Sequence, residues 1–137
     1  MALLANAQVT RRGRPSNGRT FGYPVAPGET IWGGGLVGLN SSGQMQRLQT
    51  VGTVVFVGLA DRDLSNAVNA AASSILVEAM KGCFGLTVPS ATAANINAPV
   101  YATADNVLTL SNTGAPLQIG TLVGIDNGQT FVAILGG

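Results

Sequence analysis

The sequence predicts an all-β fold, a compact β-barrel or β-sandwich entered through an extended N-terminal arm. Three observations predict it. Short runs rich in Val, Ile, Leu and Thr alternate with clusters of Gly, Asn, Ser and Pro at roughly ten-residue spacing, the rhythm of strands and turns. Hydrophobic residues make up 46% of the 137 residues and charged ones only 9%, which suits one core that needs no metal or disulfide staple. Four of the seven basic residues, Arg11, Arg12, Arg14 and Arg19, fall in the first twenty with no acid among them, a net +4. The remainder sets Arg47, Arg62 and Lys81 against six acids, a net −3.

Residues 1–20 show no amphipathic period, and Arg14-Pro15-Ser16-Asn17-Gly18 is turn and coil chemistry. An arm over 1–20 is expected, disordered unless it has a surface to lie on, with one domain over 21–137. In that domain Pro27-Gly28 opens a turn before Thr30-Ile31-Trp32, and Leu36 to Leu39 runs into the turn cluster Asn40-Ser41-Ser42-Gly43. Met45, Leu48 and Val51 are spaced by three, so a strand there is weakly marked. Thr53 to Val57 is a continuous, β-branched run and is expected to be central. Ile75–Val77, Phe84–Val88, Val100–Thr103, Val107–Leu110, Ile119–Ile125 and Phe131–Leu135 complete the expected strands. Two Ala-rich stretches, Leu64–Ala72 and Ala91–Ile96, contain or adjoin Asn, Ser and Thr that compete for backbone hydrogen bonds. The first is expected to be a loop with at most a helical turn, the second a short turn before a strand.

The chain also echoes itself. Leu36-Val37-Gly38-Leu39-Asn40-Ser41-Ser42-Gly43 resembles Val107-Leu108-Thr109-Leu110-Ser111-Asn112-Thr113-Gly114, and Phe56 to Asp61 resembles Leu122 to Asn127. Ile75 to Ala79 and Phe131 to Leu135 follow in the same order. Two related β units, 27–82 and 98–136, are expected to form two halves of one barrel, linked through Cys83 to Asn97.

Little in the sequence points to catalysis. Acid–base work needs titratable groups, yet there is no histidine and Lys81 is the one lysine. Gly33, Gly35 and Gly38 match G-x-G-x-x-G, but the turn at Asn40 leaves no room for the helix that receives a pyrophosphate. A glycine bulge with close backbone approach is expected instead. Asp61 and Asp63 flank Arg62 in what reads as a solvated, strand-ending loop, not an acid–base pair or a cation site. The single cysteine, Cys83, cannot form an intrachain disulfide and is expected to be a small buried hydrophobe. No catalytic, metal-binding or cofactor-binding residue is expected, and no cofactor. The longest apolar stretch, Val51 to Ala60, is far short of the ~18–20 residues that span a membrane. Arginines follow the apolar start Met1 to Ala7, the reverse of a secretory signal, so a soluble, unexported chain is expected. The arm has three readings: a solvated tail, a phosphate binder acting by counterion release, or a segment that docks on acidic protein surface through arginine–carboxylate pairs. Arg11, Arg12, Arg14 and Arg19, with Phe21 and Tyr23 just beyond them, are the candidate interface residues; Trp32 is either core or anchor.

Val25-Ala26-Pro27-Gly28-Glu29-Thr30-Ile31 followed by Gly35-Leu36-Val37-Gly38 resembles the opening of capsid decoration (head cement) proteins of tailed bacteriophages. Val57-Gly58-Leu59-Ala60, Ile75 to Ala79, Pro99-Val100-Tyr101 and Gly120 to Gly124 with Phe131 to Leu135 extend the resemblance over about 21–137. It implies a compact β-barrel or β-sandwich that binds the outer surface of an assembled shell. The implied partners are the major capsid protein and further copies of the chain, as a homotrimer or a dimer, with no membrane and with nucleic acid not the expected partner. The implied location is the virion exterior, after synthesis in the host cytoplasm. The Arg-rich arm departs from the shorter members. The alternatives are a nucleic-acid-binding or packaging accessory protein that uses the arm, and a receptor- or glycan-binding virion module.

Overall fold

Glycine and asparagine turns cut the chain into short strands, numbered in chain order, in a computed structural model that describes residues 10–12, 21–50, 52–53, 55–114 and 116–134. One sheet contains β2 (Phe21–Pro24), β4 (Leu36–Leu39), β5 (Met45–Arg47), β6 (Val55–Ala60) and β8 (Leu76–Met80), in the order β2-β8-β6-β4-β5. A second contains β1 (Thr10–Arg12), β9 (Cys83–Gly85), β10 (Pro99–Ala104), β11 (Val107–Thr109), β12 (Leu117–Asp126) and β13 (Gln129–Ile134). Its order is β1-β9-β13-β12-β10-β11. β3 (Thr30–Ile31) and β7 (Leu64–Ser65) form a separate two-stranded pair. The fold is all-β and sandwich-like. The expected turn before β10 is a single 3-10 turn, Ala93–Asn95, and Leu64 to Ala72 contributes β7 and turns.

Both larger sheets follow one plan. With β1 set aside, each five-stranded unit is ordered first, fifth, fourth, second, third along its own chain. In each, the second strand slips register against the fourth at the same place. Val37 faces Gly58 and then Gly38 faces Phe56; Val100 faces Gly120 and then Tyr101 faces Gln118. Val57 and Ile119 are therefore equivalent bulged residues, an extra residue that bends the strand and raises its twist. Two ladders further out, Phe21 faces Ala79 in one unit and Phe84 faces Val132 in the other. Phe21-Gly22 and Phe84-Gly85 are thus the same position of the plan.

This corrects the sequence echo. It set Leu36–Gly43 against Val107–Gly114, which would equate β4 with β11, whereas topology equates β4 with β10. The two turn clusters share composition, but one lies between the second and third strands of its unit and the other between the third and fourth. Within the arm, Thr10–Arg12 finds a surface on the body itself, pairing antiparallel with Cys83–Gly85.

The sheets enclose two cores. Val25, Ile31, Val37, Met45, Val57, Ala60, Val77 and Ala79 form the smaller cluster, with Tyr23, Leu39 and Leu64 packed against it. The β2–β5 sheet curls around this cluster, and the end of β2 reaches the opposite edge through the parallel bridge Val25↔Met45. One bridge and not a ladder joins these edges, so the unit is rolled without being a closed barrel. The larger cluster is the equivalent core of the second unit, with Val88, Val100, Leu108, Ile119, Leu122 and Val132, but Leu36, Leu48 and Leu59 of the first unit fill it. The two units therefore stack in tandem, the outer face of the first serving as the lid of the second. Leu36, Leu59, Ile119 and Leu122 are fully buried, each worth ~1.5–3 kcal/mol over exposure.

Candidate interaction surface

The first strands of the two units differ in what lies beside them. On β9 the outer edge is taken by β1, with Thr10 facing Gly85, Arg11 facing Phe84 and Arg12 facing Cys83. On β2, among the described residues, β8 is the one neighbouring strand. Phe84 is buried, while Phe21 is 65% exposed. Phe21 and Tyr23 share the face of β2 that looks toward the smaller core, and Tyr23 packs on that core while Phe21 projects past it. On the opposite face Leu76 leans across Gly22, where a Cβ would lie 3.0 Å from the leucine Cβ. Leu76 and Ile75 are both about half exposed, so apolar surface flanks this edge.

A loop beside the edge is held open from within. Asn66 is buried, and its Nδ2 donates to the carbonyls of Val25 and Ala26 at 3.1 Å each and of Ala71 at 2.9 Å. That grip on the loop neck leaves Val68 at the tip 95% exposed. Of the arginines singled out in the sequence, Arg11 and Arg12 belong to β1, and Arg14 and Arg19 lie outside the described residues.

The other polar candidates brace the fold. Asp63 Oδ1 accepts from the Gly33 N–H at 2.6 Å, and Asp61 Oδ1 accepts from the Glu78 N–H at 3.0 Å, so each aspartate closes a loop. Gly38 lies within β4, and a Cβ there would meet the Val55 carbonyl oxygen at 2.8 Å; the glycine run marks close backbone approach. Arg47 Nε donates to Glu29 Oε1 at 2.7 Å, and Glu29 also accepts the N–H groups of Thr30 and Arg47 at 3.0 and 3.2 Å. Cys83 is half-buried instead of fully buried, on the three-residue strand β9. Trp32 is also partly buried and belongs to neither core cluster, although its indole N–H is buried without a described partner.

Nothing in the sequence singles out Asp105. It occupies the β10–β11 turn at the junction of the two units, and its carbonyl accepts the Leu36 N–H at 3.0 Å. Its side chain is buried with no described hydrogen bond to either oxygen. Burial raises its pKa from 3.8 to about 6, against the opposing pull of Arg47. An Asp-Asn turn reads in sequence as solvated; only the docking of this hairpin against β4 takes it out of water.

Comparison with protein-family models, with curated proteins and with solved structures finds no match to this chain.

Proposed function

We propose that the chain is a structural virion protein, a decoration or cement protein that binds the outer surface of an assembled bacteriophage capsid and stabilises it. The observation that carries this reading is the apolar edge of a charge-poor body: Phe21, Ile75 and Leu76 at one sheet edge, with Val68 on its raised loop. Large apolar side chains exposed on both faces beside one edge strand favour cover by another protein. The resemblance of residues 21–137 to decoration proteins points the same way, as does a set of carboxylates engaged in loop closure. The major capsid protein is the proposed partner, alongside further copies of the chain as a trimer. The role is proposed to be non-catalytic and to need no cofactor.

The physics of such a role is linkage. A protein that binds the assembled lattice better than free subunits stabilises the assembled state, and many copies bridging neighbours sum small free energies over the shell. The arm contributes charge pairing with acidic shell surface and covers area as it orders.

Cosedimentation of the purified chain with empty shells and, separately, with duplex DNA tests this reading. Saturable binding to shells is expected, with little binding to DNA at physiological salt. Salt-dependent DNA binding without shell binding would instead favour the packaging accessory. Deleting residues 1–20 should lower shell affinity at least tenfold. Because it also removes the three-residue β1 ladder, the thermal midpoint should fall by roughly 2–6 °C. An unchanged affinity would leave the arm no part in shell attachment.

A further inference from the structure

We propose that the outer edge of β2 takes up the Thr10–Arg12 segment of a second copy of this chain, as an antiparallel strand in the place that β1 holds on β9. The molecule supplies its own template. Phe21-Gly22 and Phe84-Gly85 are the same position of the repeated plan, reached through matching registers and matching bulges. At β9 that position accepts Thr10–Arg12. Along Phe21–Tyr23 the edge has β8 on one side and no described strand on the other, β5 joining only beyond it at the Val25↔Met45 bridge. An edge strand with an open row of backbone donors and acceptors is a site for strand addition.

Two further features fit this occupant. Phe21 is 65% exposed, and a strand laid along β2 would run beside it as Arg11 runs beside Phe84. The body carries a net −3 while the arm carries +4, and β8 places Glu78 opposite Gly22, so a basic segment approaches a surface of opposite sign. Residues 13–20 give an extended reach of up to ~26–29 Å between β1 and β2, enough for an arm to leave its own β9 for a neighbour. The exchange keeps the number of ladder bonds and adds cover for Phe21. The inference concerns the chain's contact with itself and stands whether or not the particle it decorates is a capsid.

The test uses full-length chains in which Cys83 is replaced by serine. One batch carries Arg11→Cys, a second carries Phe21→Cys, and the two are mixed and mildly oxidised. A disulfide-linked heterodimer that reductant dissolves is expected, read on a non-reducing gel as dimer in clear excess over that formed when either variant is oxidised alone. Sedimentation supplies the second reading: the native chain should self-associate, more weakly as salt rises. Phe21→Asp should weaken that association at least tenfold while the circular dichroism spectrum stays native, because Phe21 lies outside the core. Absence of the heterodimer overturns the proposal, and so does association that Phe21→Asp leaves unchanged. Failure of shell binding with the cross-link intact would remove the capsid reading alone.

Discussion

Gly120→Ala is expected to destabilise the protein by at least ~3 kcal/mol, or to prevent folding. A Cβ at this position would overlap the Ala133 carbonyl oxygen and lie 2.9 Å from the carbonyl carbon. These are backbone atoms of β13, paired with β12 through the longest run of contacts in the second sheet, so no side chain can swing away to make room. Overpacking of a tight core commonly costs ~1–3 kcal/mol, and here the ladder itself must shift. Gly58, the equivalent residue of the first unit, meets the Met80 carbonyl in the same way and in addition holds φ at +144°. Gly58→Ala should therefore be at least as damaging. Gly124→Ala is the control, since a Cβ there has nothing within 4 Å. Urea titration followed by circular dichroism measures all three. A Gly120→Ala protein within about 0.5 kcal/mol of the Gly124→Ala protein would show that the β12–β13 approach is looser than described, since ordinary surface changes stay within that range.

Asp105→Asn should stabilise the protein at neutral pH and flatten its pH profile. The folded-state pKa is raised by burial to about 6 from 3.8, so the folded protein holds this proton more tightly than the unfolded chain. Its stabilising contribution is fully present below pH ~4, falls as pH rises from about 4 to 6, and is absent above. A shift of this size corresponds to roughly 2–3 kcal/mol between the two ends of the window. Asparagine has nearly the same shape and no proton to lose. The variant and native stabilities should converge near pH 4 and separate above pH 6, with the variant ahead. Parallel profiles from pH 4 to 7 would mean that Asp105 is solvated or paired in solution.

The sequence made some of this plain and hid the rest for physical reasons. The β-branched run at Thr53–Val57 reads as central, and β6, Val55–Ala60, is the third strand of five. The three-residue spacing of Met45, Leu48 and Val51 obscured β5, because that strand lasts only three residues before Leu48 turns into the larger core. The repeat leaves a trace in the sequence but at a false alignment, since turn clusters of similar composition do not reveal which strands they join. Its better marker, Phe-Gly followed by a buried valine at Val25 and Val88, is too short to stand out before registers are known. The interface candidates were partly legible. Arginine beside aromatics drew attention to Phe21, but the exposure of Ile75, Leu76 and Val68 follows from the edge position of β2 and the neck formed by Asn66. Nothing in Thr10-Arg11-Arg12 announces a strand; its partner β9 lies some seventy residues away along the chain.

The central claim is that this protein makes an assembled shell more robust, and the most direct measurement compares particles with and without it. Decorated particles are stripped, then heated or osmotically shocked, and DNA release is followed with a dye that cannot enter an intact shell. The account predicts release from stripped particles at lower temperature and recovery of the original midpoint when purified protein is added back without any cofactor. Stripped particles that hold their DNA as well as decorated ones would contradict it.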